Sequence, residues 1–265
     1  MSWPFETSEP LVTPHHAAEL ERKRRGLTPE EWALPTTLVA TFQRAAYARM
    51  LERAGLNVDS REHGQGGSGG TTFGRVVGSV DGVPVVVAHI CVGAPAAALA
   101  LENSVARGVR NVLVAGSAGS LQQHLPIGAT VVVTGAERED GVSHHYLPAG
   151  EVVSPDRALT RMLEECALAR GALPVRGRAW TIDAPYRETV GAIRRHSEAG
   201  VAVVEMEAAA IFAVSRVRGV RAGLIVAVSD EVFGHEWNHG FNHDAYLDSL
   251  LRAADTAMDV AAKLG

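Results

Sequence analysis

The sequence predicts an α/β fold: a single domain with a mixed, mostly parallel central sheet and helices on both faces. Three observations carry this. From residue 72 onward, apolar strand-like runs alternate with helical stretches of 12–18 residues. Several runs, such as VRNVLVAGS and VAVVE, read as buried strands of the kind found in sheets covered on both sides. The 265 residues, 46% hydrophobic and 21% charged, suffice for one full core, and no repeat or linker interrupts them.

The elements follow in order. Residues 1–13 carry two prolines and read as an extended N-terminal arm, with the domain over 14–265. HHAAELERKRRG, 15–26, reads as a charged helix stopped by Gly26. Residues 35–55 have apolar positions at helical spacing and a glycine stop. REHGQGGSGGTT, 61–72, has five glycines in twelve residues and reads as a loop. TFGRVVGSVDGVPVVVAHI is a hairpin with its turn at Asp81-Gly82. Helix APAAALALENSVARG comes next, then strand VRNVLVAGSAGS running into a glycine turn, and strand GATVVVTGAERED. SPDRALTRMLEECALARG is a helix, LPVRGRAWTIDA a strand and YRETVGAIRRHSEAG a helix. VAVVE is a strand feeding a helix over 206–219, VRAGLIVAVSD is a further strand, and 242–264 is the closing helix.

The formal net charge of −5 argues against a nucleic-acid partner, which would leave a basic patch. No window approaches 18 uncharged apolar residues, so no membrane span is expected, and the N-terminus lacks the basic and apolar regions of a signal peptide. Cys91 and Cys166, in apolar settings, read as reduced buried thiols of a cytoplasmic protein.

In sheets of this kind ligands bind beyond the carboxyl ends of the strands. The residues there are Cys91-Val92-Gly93, Gly116-Ser117-Ala118-Gly119, Arg138-Glu139-Asp140-Gly141, Asp183 to Arg187, Glu205-Met206-Glu207 and Ser229-Asp230. Small residues, a hydroxyl, several carboxylates and an arginine on one edge describe a pocket for a small polar molecule.

Two motifs point elsewhere and are set aside. AGSAG around Ser117 falls one residue short of the G-x-S-x-G elbow, and it leads to Pro126, Gly128 and a strand rather than a long helix. HEWNH, 235–239, matches the zinc-protease signature, but Gly234 and Gly240 bracket it where a helix is needed.

VEMEAAAIFAV, VSD at 228–230, the GSAG turn, GAPAAALALE at 93–102 and IGATVVV at 127–133 together resemble the purine nucleoside and uridine phosphorylase superfamily. WTIDAPYRET at 180–189, DGVSHHYLP at 140–148 and Glu236-Trp237 resemble one bacterial and archaeal branch of it. The resemblance covers roughly residues 40–260. It implies an α/β homo-oligomer that splits the N-glycosidic bond of a nucleoside. Phosphate is the usual co-substrate, and no metal or organic cofactor is involved.

Residue by residue, the resemblance makes Glu207 the carboxylate that accepts hydrogen bonds from the ribose 2′- and 3′-hydroxyls. Met206 is the floor under the sugar and Glu205 a support. Asp230 resembles the acid that protonates N7 of a purine, with Ser229 orienting it, while Tyr186 and Arg187 border the base. Asp230 and the lack of a glutamine beside Arg187 favour a purine over a pyrimidine.

Ser117 and Gly93 match phosphate-contacting positions. Val114, however, stands where phosphorylases carry an arginine, and the N-terminal Gly-Asp-Pro loop is missing. Either Arg44 or Arg138 substitutes, or water is the nucleophile, with Glu139 or Asp140 as its base. His144 and His145 lie in a loop that could border the 5′ end of the sugar, and His15 and His16 belong to the N-terminal segment that in relatives sometimes reaches a neighbouring subunit.

Overall fold

In the computed structural model, which describes residues 5–56, 72–234 and 236–265, residues 5–13 carry no helix or strand. Two short helices follow, α1 (Pro14–Arg24) and α2 (Pro29–Trp32), each opened by a threonine cap and a first-turn proline. Strand β1 (Thr37–Thr41) leads into α3 (Arg44–Arg53). Strands β2 (Thr72–Val80) and β3 (Val83–Ile90) form the expected hairpin. Asp81 and Gly82 both take positive φ, 50° and 81°, which matches the turn to the right-handed twist of the strands.

Then come α4 (Ala94–Val105), β4 (Asn111–Ser120), β5 (Thr130–Glu139), α5 (Ser143–Tyr146) and α6 (Arg157–Ala169). The remainder is β6 (Val175–Ile182), a single 3-10 turn (Pro185–Arg187), α7 (Val190–Glu198), β7 (Val203–Glu205), α8 (Ala208–Arg218), β8 (Arg221–Glu231), β9 (Asn238–His239) and α9 (Asp244–Ala262).

The expected α/β domain is what the chain forms. One apolar cluster packs α4 and α8 on one side of the sheet, and a second packs α3, α6 and α9 on the other. The sheet runs β2-β3-β1-β4-β7-β6-β5-β8-β9, and β4 also pairs with β8. That extra pairing closes β4, β7, β6, β5 and β8 into a five-strand barrel, which removes the edges of all five strands. Pairings β1–β3, β1–β4, β4–β8, β5–β6 and β6–β7 are parallel; β2–β3, β4–β7, β5–β8 and β8–β9 are antiparallel. No described helix is long and apolar enough to cross a membrane.

Three expectations need correction. Residues 35–55 are not one helix, because Thr37–Thr41 form a fully buried strand between β3 and β4 and the helix starts only at Arg44. Gly116-Ser117-Ala118-Gly119 is not a turn: β4 continues through it, paired with β8, with a register shift between Ala118 and Gly119. Tertiary pairing with β8 outweighs the local preference of the glycines. Of the two cysteines, Cys166 is buried as expected but Cys91 is only half-buried. The glycine-rich stretch 61–72 lies, apart from Thr72, outside the described residues.

Candidate active site

The ends of β1, β3, β4 and β8 point the same way and bring Phe42, Val92, Ser117 and Asp230 to one mouth. Strand β7 runs against β4, yet it crosses the end of β4 through only two residue pairs, Gly119 with Val204 and Ser120 with Val203. That crossing delivers Glu205, Met206 and Glu207 to the same place. A Cβ on Gly119 would stand 3.1 Å from Val204 and 3.2 Å from the Asp230 carboxylate, so glycine lets the strands close here. A cavity of about 660 Å³ results.

At one end of the cavity, Glu205 and Glu207 are both buried. Glu205 Oε2 accepts the backbone N–H groups of Glu207 and Ala208 at 2.7 and 2.6 Å, capping the first turn of α8, and Oε1 accepts the Thr181 hydroxyl at 2.5 Å. Burial pushes this carboxyl up against the pull of those three donors. Glu207 Oε1 accepts the Gly93 N–H at 2.5 Å. Gly93 begins α4 with φ 108°, a conformation that glycine adopts freely, and this aims its N–H at the carboxylate. Burial first, and then the charge on Glu205, push the Glu207 carboxyl up. The Met206 side of this segment lines the cavity floor together with Val204.

At the other end, Asp230 Oδ1 accepts the Ser229 hydroxyl at 2.7 Å and Oδ2 accepts the Trp237 indole N–H at 2.8 Å. Asp230 and Glu231 pair with β9, which holds the returning segment against the cavity. Tyr186, fully exposed, and Trp237, 62% exposed, stand at the mouth with Phe241. Glu188 lines the same end; burial, then the Asp230 charge, push it up to about 7.

Of the residues singled out in the sequence, Ser117, Tyr186, Glu205, Met206, Glu207, Ser229 and Asp230 converge on the cavity. Gly93 touches the site through Glu207, so its N–H is spent on the carboxylate rather than on an anion. Ser117 Oγ accepts the Gln43 amide at 2.8 Å.

Three arginines do not line the cavity. Arg44 is exposed at the start of α3, one residue beyond Gln43, and Arg187 is exposed beyond Tyr186. Arg138 is committed elsewhere: its guanidinium donates to the Ser143 hydroxyl and to the carbonyls of Ser143, Leu147, Pro148 and Glu151 at 2.7–3.0 Å, clamping the loop after α5. His144 joins this clamp, its ring contacting Arg138 at both nitrogens, while His15 and His16 lie in α1. Val114 is 1% exposed in the core.

The candidate bases for water are also committed. Glu139 accepts from Trp180 and Arg195 and contacts the His196 ring, and Asp140 accepts the N–H and hydroxyl of Ser143. No Lys, Arg or His lines the cavity among the described residues, whereas five carboxyls do: Glu188, Glu205, Glu207, Asp230 and Glu236. His235 of HEWNH lies outside the described residues, and Asn238-His239 form a strand rather than the helix a zinc motif needs. Among the described residues, no three His, Cys, Asp or Glu side chains are grouped to hold a metal ion.

Among the lining residues that sequence reasoning missed are Phe42, Gln43, Glu188 and Trp237. Phe42 and Gln43 were hidden inside the misread helix. Glu188 and Trp237 sat in motifs whose other members drew the attention.

The sequence model of the phosphorylase superfamily matches residues 41–264, so the chain belongs to that superfamily. It is 28% identical over 170 residues to the uridine phosphorylase of Haemophilus influenzae, covering 59% of this chain and 68% of that one. It is 34% identical over 151 residues to the guanosine phosphorylase of Halorubrum lacusprofundi, covering 57% and 62%. The chain thus spans about two thirds of the length of these relatives. Among solved structures, the purine nucleoside phosphorylase of Toxoplasma gondii in complex with immucillin-H superposes with a TM-score of 0.75 at 19% identity, over 90% of this chain and 94% of that one. The uridine phosphorylase of Vibrio fischeri reaches 0.76 at 20% identity, over 89% and 94%. At such identities the structures speak for a shared fold.

Proposed function

We propose that the chain is a nucleoside phosphorylase that cleaves purine nucleosides with phosphate, giving free base and pentose 1-phosphate. The observation that carries this reading is the paired arrangement of Glu207 and Asp230 at the two ends of one cavity. Glu207 has one oxygen held by Gly93 and lines the sugar end with Met206; Asp230, supported by Ser229 and Trp237, lines the base end.

Glycosidic cleavage passes through an oxocarbenium-like sugar. An ionised Glu207 accepts the 2′- and 3′-hydroxyls and fixes the ring over Met206, and its charge favours the cationic sugar. Asp230 passes a proton to N7 as the bond to C1′ breaks, and phosphate attacks C1′. The phosphate end is formed by Ser117, Gln43 and the start of α3, where Arg44 and the helix N-terminus supply positive potential.

Two further observations support the choice. A pyrimidine needs donors for its two carbonyls, and Gln43 is already bonded to Ser117 while Arg187 faces outward. Neither Glu139 nor Asp140, the two carboxyls the sequence offered as a base for water, lines the cavity, and both are hydrogen-bonded elsewhere. We also read the chain as a cytoplasmic homo-oligomer, in which a cation from a second copy would complete the phosphate end; sedimentation velocity checks the assembly.

The test is a panel of adenosine, inosine, guanosine, uridine and thymidine incubated with phosphate, with free base followed by chromatography. Purine nucleosides should be cleaved at least tenfold faster than pyrimidines. Preference for uridine or thymidine would overturn the purine assignment.

A further inference from the structure

Three guanidinium groups gather around one tryptophan outside the cavity. Arg25 ends α1, Arg75 lies on the outermost strand β2 opposite Ala88, and Arg107 follows α4. Each is half-buried, and none lines the cavity. Their common neighbour is Trp32, the last residue of α2. The guanidinium carbon of Arg107 stands 4.0 Å from the centroid of the Trp32 ring, and that of Arg25 stands 5.7 Å from it.

The positive charge exceeds what the described side chains balance. Arg25 Nε donates to Glu21 at 2.6 Å, but that carboxylate also accepts from Arg24. Arg107 Nε donates to the Trp32 carbonyl at 2.9 Å, and its two terminal nitrogens have no partner among the described residues. The Arg75 guanidinium has no partner among them. Burial, then the charge on Arg25, push the Arg75 guanidinium down. Burial, then the charges on Arg75 and Arg25, push that of Arg107 down to about 10. Cations held together out of water destabilise the fold unless a counter-charge joins them.

A second observation, independent of charge, points the same way. Trp32 is 8% exposed, and its indole N–H is buried without an acceptor among the described residues. A buried indole N–H ordinarily has one. An anion beside the ring would supply that acceptor and the missing negative charge together.

We infer that Arg75 and Arg107, in the field of Arg25 and with the Trp32 indole N–H as a further donor, form a site for a polyvalent oxyanion of the phosphate and sulfate class, separate from the cavity. Guanidinium groups hold such ions through paired N–H donors, and partial burial strengthens those bonds. The occupant is the free inorganic ion or the phosphate group of a small ester.

The test is calorimetric titration of the purified protein, without nucleoside, with inorganic phosphate, sulfate and ribose 5-phosphate, at an ionic strength held constant with sodium chloride. Wild type is compared with Arg75→Met and Trp32→Phe, and each is also melted in chloride alone and in saturating phosphate. Arg75→Met keeps the length of the side chain and removes its charge. It should weaken binding at this site by at least about tenfold, and Trp32→Phe several-fold, with KM for phosphate in nucleoside cleavage unchanged. In chloride alone Arg75→Met should melt above wild type, because an unbalanced charge has gone; in phosphate the order should reverse. Tighter binding of ribose 5-phosphate than of phosphate assigns the site to an ester, and equal or weaker binding assigns it to the free ion.

Phosphate and sulfate binding unchanged in Arg75→Met would overturn the site, and sedimentation of that variant as a smaller species would then give the counter-charge to a second copy. An Arg75→Met protein that melts below wild type in chloride would also overturn it, since the guanidinium would already be paired in the fold. Binding and melting need no turnover, so failure of the phosphorylase reading would leave both readouts intact.

Discussion

The Trp237 indole N–H donates to Asp230 Oδ2 at 2.8 Å, while the neighbouring Ser229 hydroxyl holds Oδ1 at 2.7 Å. Both oxygens of the proposed acid are therefore fixed in direction by the protein. In the proposed reaction Trp237 is a positioning residue. Trp237→Phe retains the ring at the mouth and removes the donor, and is predicted to lower kcat on purine nucleosides by roughly tenfold with a small change in KM, as expected for one hydrogen bond to a charged group. Steady-state kinetics check this; a loss confined to KM would mean that Trp237 only binds the base.

Asp230→Asn removes the proton that the leaving group needs. Cleavage of inosine and guanosine should fall by about 10²- to 10⁴-fold, the usual range for general acid catalysis. 7-Methylguanosine already carries a positive charge on its imidazole ring and departs without protonation at N7, so its cleavage should fall far less. Parallel rate measurements on the two substrates decide the matter, and an equal loss on both would refute the acid role.

The carboxyl of Glu207 is pushed up by its burial and by Glu205. The folded protein thus keeps a proton that the unfolded chain releases near the ordinary carboxylate value. The stability this group contributes is present below that value and is lost as pH rises through the raised one. Glu207→Gln removes this titration, so its melting temperature relative to wild type should climb between pH 5 and 8 while cleavage is abolished. Because the ionised carboxylate is the form that accepts two hydroxyls, kcat/KM of the wild type should rise with pH over the same interval. Thermal denaturation across pH and a pH–rate profile check the two halves separately.

Arg44 and Arg138 were both candidates for phosphate, and the fold separates them. Arg138 is consumed by its clamp on the 143–151 loop. Arg138→Ala should cost about 2–4 kcal/mol of stability, read as a drop of several degrees in melting temperature, with KM for phosphate nearly unchanged. Arg44→Ala should leave the melting temperature in place and raise KM for phosphate several-fold. The reverse pattern would return Arg138 to the site.

The meeting of Glu205-Met206-Glu207 and Ser229-Asp230 at one cavity was legible in the sequence because they lie at strand ends, where they interrupt apolar runs. Hydrophobic runs also marked most strands and helices. Closure of the barrel was not legible, since it depends on β4 pairing with β7 and β8 from distant parts of the chain. The end of the cavity lined by Gln43 and Ser117 suffered most from this. Gln43 reaches Ser117 only because β1 lies beside β4, and as a local pattern Thr37–Thr41 passes for the start of the following helix. Glu188 gave no periodic signal either; its meaning comes from the cavity around it.

The central claim is that phosphate, not water, attacks the sugar. Incubating the purified protein with guanosine or inosine in phosphate-free buffer and then at rising phosphate, while following the products by ³¹P NMR, tests it most directly. The account predicts base release that saturates with phosphate and yields one equivalent of pentose 1-phosphate per base. Base release at an equal rate without phosphate, with free pentose as the product, would contradict it.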